Sequence, residues 1–147
     1  MRTVSKPFYS LNLDQLYDLL ALRSKIFVVE QQAVYLDCDG RDKQAIHVLI
    51  YSDSGQLAAA ARVLPPGTLF EEPAVGRVVV DPEWRGKSLG HELMRTALNV
   101  CAQSFKNQPV RISAQQHLRK FYSQHGFEVI SEPYLEDGIW HVAMLRT

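Results

Sequence analysis

The middle of the chain combines a continuous apolar run with an apolar pattern of helical period. Residues 78–80 are three consecutive valines, and such a β-branched run predicts a strand that is covered on both faces. Asp81 and Pro82 end this strand, because proline has no amide hydrogen for a sheet ladder and biases the residue before it away from helix. A helix running to about Ser104 is predicted next from apolar residues of helical spacing: Leu89, Leu93, Met94, Ala97, Leu98 and Cys101.

The N-terminal segment predicts a short strand and a capped helix. Residues 3–8 form the strand, and Asn12 then begins a helix that runs to about Val28. Gln15 follows Asn12 by three positions, which is the spacing of a capping box. The buried face of this helix is predicted from its apolar residues: Leu13, Leu16, Tyr17, Leu20 and Phe27.

The other segments predict five more strands and a short helix. They are a hairpin of residues 47–51 and 57–64, a strand at 109–114, a helix at 118–125 ended by Gly126, and strands at 127–130 and 140–145 joined by a polar loop. The order β-α-β-β-β-α-β-α-β-β predicts one mixed α/β domain over residues 1–147. Its central mixed sheet should have about seven strands flanked by helices.

Composition and charge limit the classes of partner. Lys plus Arg and Asp plus Glu both number 16, so the formal net charge is zero and gives no global attraction to nucleic acid or anionic membrane. The sequence has neither a run of transmembrane length nor a signal-peptide core. Cys38 and Cys101 are therefore expected as reduced thiols in a cytoplasmic protein.

Three aspartates cluster in the segment 35–42. Asp37, Asp39 and Asp42 suggest calcium, but the order of an EF-hand loop needs a later glycine and a distal glutamate that are missing here. The prediction for these carboxylates is therefore local turns and a solvated surface.

The segment from Arg85 to Gly90 predicts an anion site. It places two glycines and two cations, Arg85 and Lys87, at the start of a helix, where free amide groups and the positive end of the helix dipole favour a phosphate. A P-loop would need glycine at the position of Asp81. The Rossmann fingerprint needs a third glycine, so both of these motifs fail on spacing.

Two segments resemble the GCN5-related N-acetyltransferases (GNAT). The hexapeptide from Arg85 to Gly90 resembles their acetyl-CoA loop, Arg/Gln-x-x-Gly-x-Gly/Ala, with Ser88 in place of the first motif glycine. Residues 121–127 resemble the family's Phe-Tyr-x-x-x-Gly-Phe segment. Gln115 and Leu118 depart from the asparagine and alanine that many relatives carry there, which leaves side-chain contacts to the cofactor from that helix open.

The whole chain is similar to the ElaA-like bacterial acetyltransferases. The similarity rests on segments 22–31, 35–42, 76–78 and 114–118 together with His47. It implies the GNAT acyl-CoA N-acyltransferase fold, acetyl-CoA as cosubstrate without a metal, and transfer of an acetyl group to an acceptor.

The resemblance also implies roles for residues of this chain. Tyr122 corresponds to the tyrosine taken as general acid for the leaving thiolate, since a phenol is protonated at neutral pH. Glu30 is the first candidate for the general base, with His117 and His141 as alternatives, and an ion pair of Glu30 with Arg23 or Lys25 is the competing interpretation. Cofactor binding is assigned to two sets of residues: Val78, Val79 and Val80 through backbone groups, and Arg85, Gly86, Lys87, Ser88, Leu89 and Gly90 around the pyrophosphate.

The predicted acceptor is a primary amine of a small molecule or peptide, which attacks the thioester directly in a ternary complex. Asp37, Asp39, Asp42 and Glu30 would make the acceptor side acidic and favour a cationic amine. Two alternatives remain open: a CoA-binding sensor or interaction module of the same fold without turnover, and a P-loop-like nucleotide binder. Neither nucleic acid nor a membrane is expected as partner, and a homodimer stays open because dimers are common in the superfamily.

Overall fold

The computed structural model describes residues 1–106 and 108–147, and within them it contains eight strands and three α-helices. The strands are β1 (Arg2–Pro7), β2 (Ile46–Tyr51), β3 (Leu57–Leu64), β4 (Ala74–Val80), β5 (Val110–Gln115), β6 (Glu128–Val129), β7 (Tyr134–Glu136) and β8 (Ile139–Arg146). The α-helices are α1 (Leu13–Arg23), α2 (Leu89–Ser104) and α3 (Arg119–Ser123), and a π-helical segment at Ser24–Glu30 continues α1.

All eight strands belong to one mixed sheet. Its order is β1-β2-β3-β4-β5-β8-β6, and β7 also pairs with β8. The pair β4–β5 is parallel and every other described pair is antiparallel. The parallel pair needs a crossover connection, which α2 provides.

The sheet separates two apolar cores, because strand side chains alternate between its faces. In β2, Val48 and Ile50 pack in the cluster that contains α2, whereas Leu49 and Tyr51 pack with α1. Helices therefore cover both faces of the sheet, and the predicted mixed α/β architecture is confirmed.

Helix α2 follows its predicted apolar pattern. All of its buried residues are those of the predicted face: Leu89, Leu93, Met94, Ala97, Leu98 and Cys101. The strand before it ends at Val80, and the side chain of Asp81 accepts a hydrogen bond from the amide of Glu83 at 3.0 Å. Asp81 therefore acts as a turn residue, and Pro82 opens the short 3-10 turn that follows.

The buried face predicted for the first helix is wrong. Leu13 and Tyr17 are 85% and 76% exposed. The buried residues lie on another face and include two polar side chains: Gln15, Leu19, Leu22, Arg23 and Ile26. An apolar pattern overlooks Gln15, which completes the capping box with Asn12, and Arg23, which is fully buried among carboxylates.

The segment predicted as a polar loop between the last two strands contains β7, so the sheet has eight strands rather than about seven. β7 and β8 form a hairpin whose turn residues Asp137 and Gly138 have φ values of 51° and 77°. Asp-Gly with two positive φ values is a favoured two-residue hairpin turn, and that dipeptide is the signal for this strand. Among the described residues, no helix has the length and apolar character needed to cross a bilayer.

Candidate active site

Strands β4 and β5 pair at one end and separate at the other. Their only described register partners are Ala74 and Arg111. On its other side β4 carries a bulge against β3, because Arg62 pairs with Gly76 but Ala60 pairs with Val79. Arg77, inside this bulge, has a left-handed φ of 49°. The bulge bends β4, so a gap opens next to residues 78–80.

Two cavities follow this gap. One lies beside the β7–β8 hairpin and is here called the hairpin-side cavity, and the other lies beside the segment 85–90 and is called the loop-side cavity. Both are open to solvent. They share several lining residues and therefore meet in the gap: Phe27, Gln31, Val78, Gln115, Leu118 and Tyr122.

The predicted backbone-contact residues lie at this gap. Val78 and Val80 are half-buried and border cavities, while Val79 is 3% exposed and packs toward α1. Strand β4 is thus covered by the two apolar cores on its faces and is open only where it borders the gap. Its free edge can accept an extended molecule as an added strand.

The segment 85–90, here called the anion loop after the site predicted for it, has left-handed backbone conformations at two positions. Gly86 has φ of 77° and Ser88, the residue before α2, has φ of 61°. The side chain of Ser88 makes no capping hydrogen bond with any described residue, so the first amides of α2 remain available for an anion. A left-handed φ is costly for a residue with a side chain, so Ser88 carries backbone strain that glycine would avoid.

The other loop residues shape the wall of the site. The ring of Phe121 lies 3.4 Å from where a Cβ on Gly90 would stand, so this glycine keeps the wall close to the helix backbone. The Lys87 ammonium lies 4.8 Å from the centre of the Trp84 ring, a cation–π contact that holds a positive charge at the mouth of the loop.

Arg85 and Glu30, which the sequence assigned to different roles, bind each other. The guanidinium donates from Nη2 to Oε1 at 2.7 Å and from Nη1 to Oε2 at 3.0 Å, and Nε donates to the carbonyl oxygen of Val80 at 3.2 Å. The hydrogen bond from Arg85 lowers the pKa of Glu30, which stabilises the carboxylate and weakens it as a base. Arg85 is thus the partner of Glu30, in place of Arg23 or Lys25, and Lys25 pairs with Asp81 instead.

Tyr122 borders both cavities from α3. Its side chain is 7% exposed and packs edge-on against the rings of Phe121 and Phe127. Burial raises the pKa of Tyr122 to about 12, so the hydroxyl keeps its proton at neutral pH. A proton donor is therefore present where the two cavities meet.

The aspartates predicted to lie on a solvated surface are part of a largely buried ion-pair cluster. Arg23 donates to Asp37 and to Asp42, each at 2.7 Å, and Arg62 donates to Asp39 at 2.8 Å. Although burial alone would raise the pKa of Asp42 and of Asp39, the neighbouring arginines hold both below their usual value. The predicted solvated surface is wrong, because each carboxylate has a guanidinium partner.

This cluster also changes the expected charge of the acceptor side. Arg77 binds Asp37, with Nε 2.7 Å from Oδ1 and Nη2 donating to the main-chain oxygen at 3.0 Å. Tyr35 donates to the same carboxylate at 2.8 Å. The three aspartates therefore anchor the cavity wall that Arg77 and Tyr35 form, and their charges are neutralised.

The two histidines considered as alternative bases lie in different places. His117 is exposed and borders the loop-side cavity. His141 is 7% exposed, lies on β8 and borders the hairpin-side cavity. Its ring stacks on Tyr134 with centroids 6.2 Å apart.

Sequence reasoning overlooked the polar residues of the hairpin-side cavity. Glu136 and Asp137 come from the hairpin end, Ser113 from β5, and Gln31 with Gln115 forms a side-chain pair at 3.3 Å across the gap. The Asp137-Gly138 turn is the one local sequence signal for the β7–β8 hairpin that carries Glu136. Across residues 1–106 and 108–147, His, Cys, Asp and Glu form no group of three or more that could hold a metal ion.

The fold and the gap described above belong to a chain that superimposes on a solved acyl-CoA N-acyltransferase. The family described as the Acetyltransferase (GNAT) domain matches residues 24–147, so the chain belongs to the GNAT acetyltransferase family.

Relatives cover almost the whole chain. ElaA from Escherichia coli is 41% identical over 138 residues, which cover 92% of this chain and 90% of that protein. The crystal structure of an acyl-CoA N-acyltransferase from Pseudomonas aeruginosa superimposes with a TM-score of 0.94 at 40% identity over 99% of each chain. The crystal structure of E. coli ElaA gives a TM-score of 0.93 at 37% identity, also over 99% of each chain. The predicted ElaA-like similarity is confirmed.

Proposed function

We propose that residues 1–147 act as a single acetyl-CoA-dependent N-acetyltransferase domain, which acetylates a primary amine of a small molecule or peptide by direct attack. The observation that carries the proposal is the gap between β4 and β5. It has Tyr122 where the cavities meet and the anion loop at one mouth. A cosubstrate with a long anionic handle and a reactive end fits this arrangement.

In this proposal, the pantetheine arm and the phosphates of acetyl-CoA are bound by the residues of the loop-side cavity. Backbone groups of Val78 and Val80 pair with the pantetheine arm, and an amide near Val79 or Val80 donates to the oxyanion. Arg85, Gly86, Lys87, Ser88, Leu89 and Gly90 hold the pyrophosphate through amides and two cations.

Tyr122 donates the proton to the departing thiolate. The amine nitrogen forms a bond to the acyl carbon while the carbon–sulfur bond breaks, and the phenol proton goes to sulfur. The raised pKa of Tyr122, about 12, keeps this proton in place before reaction.

Glu30 remains a candidate for the general base, and its use depends on Arg85. Glu30 borders the loop-side cavity together with Tyr122, but its two oxygens accept hydrogen bonds from the guanidinium. Phosphate oxygens that draw Arg85 away would release the carboxylate, which couples cofactor binding to the availability of this base. His117 and His141 are the alternatives.

The cytoplasm is the compartment that we propose. Its support is that Cys38 and Cys101 are both free thiols, which suits a reducing environment. Whether the chain forms a homodimer is decided by measuring its mass in solution.

A thermal-shift titration tests the cofactor assignment. Acetyl-CoA or CoA at about 100 times its dissociation constant should stabilise the fold by roughly 2.7 kcal/mol, while ATP and NAD should not. Arg85→Ala should weaken this shift, because it removes a phosphate ligand. Glu30→Gln is the matched variant at the other end of the same ion pair, and it should keep the shift because Arg85 remains.

Two results contradict the cofactor assignment. One is the absence of a shift with either CoA species, or a shift with ATP or NAD alone. The other is an equal loss in both variants, which would mean that the ion pair matters for stability and that Arg85 does not bind phosphate.

A further inference from the structure

The hairpin-side cavity contains a pair of proton acceptors that face each other. His141 Nδ1 lies 2.7 Å from the carbonyl oxygen of Ile139. A carbonyl oxygen can only accept, so Nδ1 carries a proton, and whenever the ring is neutral Nε2 has a free lone pair. This nitrogen lies 3.4 Å from Oε2 of Glu136. In that neutral form both atoms are acceptors, and a group with N–H donors can hydrogen-bond to both.

The neighbouring groups keep this pair in place without satisfying it. The Ser113 hydroxyl is 2.6 Å from the Tyr134 hydroxyl and 3.4 Å from each carboxylate oxygen of Glu136, a distance of weak contact. The side chain of His141 is 9% exposed, whereas the side chain of Glu136 is 49% exposed at the cavity. A donor that arrives from solvent can therefore reach both acceptors.

The charge around the pair favours a cation. Glu136 and Asp137 line the cavity, and Arg77 is the lining side chain of opposite charge. Its guanidinium is already bound by Asp37, with Asp39 at 3.6 Å. The free charge at the cavity is therefore negative, from the hairpin rather than from the aspartates of the segment 35–42.

We propose that the hairpin-side cavity binds the acceptor as a primary alkylammonium ion, which donates to Glu136 and to Nε2 of His141, and that His141 takes the proton that makes the amine nucleophilic. This inference rests on the proposed function. An ammonium group has three N–H donors and can satisfy both acceptors at once. Its substrate class is an aliphatic primary amine, such as a diamine or a lysine side chain.

The proton balance of the step is complete. R–NH₃⁺ transfers one proton to Nε2, which gives R–NH₂ and the imidazolium, and the imidazolium later releases that proton to water. The nitrogen forms its bond to the acyl carbon, and sulfur leaves with the Tyr122 proton. The amide nitrogen then gives its surplus proton to the phenolate, which restores Tyr122.

Substitution of Glu136 tests the ammonium site. Acetylation of cadaverine is measured by thiol release for wild type, Glu136→Gln and Glu128→Gln. Glu128→Gln removes the same charge from an exposed strand residue that lines neither cavity. Glu136→Gln should raise KM for cadaverine about tenfold or more, and Glu128→Gln should leave it unchanged. Aniline, which is neutral at pH 7, should show no such increase.

Substitution of His141 tests the proton transfer. His141→Gln should lower kcat for cadaverine about a hundredfold at pH 7. The deficit should shrink as the pH approaches about 10, where an alkylamine loses its proton unaided. The charged and titratable groups that face this imidazole or line its cavity remain in the variant: Glu136, Tyr134, Tyr35, Arg77, Tyr122 and Asp137.

The possible failures are distinguishable. If acetyl-CoA gives no thermal shift, the proposed function fails. If acetyl-CoA binds but cadaverine and an Nα-acetylated lysine amide are neither acetylated nor bound by the CoA-loaded protein in calorimetry, the ammonium site is overturned. It is also overturned if Glu136→Gln behaves as wild type. If Glu30→Gln gives the hundredfold loss and His141→Gln does not, the proton acceptor is Glu30.

Discussion

Tyr122 has the environment of a proton donor rather than of a surface phenol. Its ring is held between Phe121 and Phe127, and burial raises its pKa to about 12. A phenol in this state can donate to a leaving thiolate, as we propose for Tyr122, and we expect it to contribute little to binding of the CoA phosphates and pantetheine arm in the loop-side cavity. Removal of this hydroxyl should therefore lower the rate of acetyl transfer without weakening the binding of CoA.

Tyr122→Phe should lower kcat for acetyl transfer by about a hundredfold and leave the dissociation constant of CoA nearly unchanged. Tyr9→Phe is the matched control, because it removes a hydroxyl from a residue that is 80% exposed and lines neither cavity. Thiol release and calorimetry measure the two quantities.

Wild-type kcat in Tyr122→Phe would contradict the acid assignment. If the wild-type chain binds CoA but releases no thiol with any amine, it is the CoA-binding sensor instead.

At the scale of elements, the cluster of arginines and aspartates attaches the segment 35–42 to α1, β3 and β4. Arg23 comes from α1, Arg62 from β3 and Arg77 from β4, and all three bind the same group of carboxylates. Removing one partner of such a pair leaves an uncompensated buried charge, which costs more than the pair itself contributes.

Arg23→Ala should lower the free energy of unfolding by about 3–5 kcal/mol. Arg41→Ala is the matched control, because the Arg41 side chain is 40% exposed and its contact with Asp39 is long, at 3.5 Å. This substitution should lower the free energy of unfolding by about 1 kcal/mol or less. Urea denaturation followed by circular dichroism measures both. Equal effects of the two variants would contradict the structural role assigned to Arg23.

The same cluster shows why some elements were predictable and others were not. Local patterns were sufficient for α2, whose six buried positions all match the apolar period, and for the capping box of α1. The buried face of α1 depends on Arg23, and an arginine becomes a core residue only when Asp37 and Asp42 fold around it. That is a tertiary effect, which periodicity does not contain.

The site shows a similar division. The loop from Arg85 to Gly90 and Tyr122 could be proposed from the sequence because their chemistry lies in contiguous motifs, and both border the cavities. The pairing of Glu30 with Arg85, 55 positions later in the chain, and of Glu136 with His141 depends on how strands meet. Only the Asp-Gly turn of the β7–β8 hairpin gave a local signal for the second pair.

At the scale of the whole molecule, stability should depend on pH through the buried imidazole of His47. His47 is 0% exposed, its Nε2 is bonded at 2.9 Å to the Asp42 carbonyl oxygen, and its Nδ1 has no partner among the described residues. Burial lowers the pKa of His47, against the opposite effect of Asp42, while Arg23 and Arg62 lower it further. The folded state therefore binds fewer protons than the unfolded state in mildly acidic solution.

Because the folded pKa of His47 is depressed, its contribution to stability is complete above the unfolded value of about 6.5 and is lost as the pH falls below it. Each pH unit in that window should cost up to about 1.4 kcal/mol until the folded pKa is reached. Urea midpoints between pH 7.5 and about 5 should fall for wild type and for His117→Gln, which removes an exposed imidazole. His47→Gln should flatten the slope, and an unchanged slope would contradict this account.

The central claim is that acetyl-CoA binds along β4 in the gap toward β5. Amide hydrogen exchange with and without acetyl-CoA tests this most directly, because the claim predicts which backbone groups gain partners. The amides of Val78–Val80 and of the loop from Gly86 to Gly90 should become protected, while those of β1, at the far edge of the sheet, should not change. Protection confined to other strands, or none at saturating acetyl-CoA, would contradict the account.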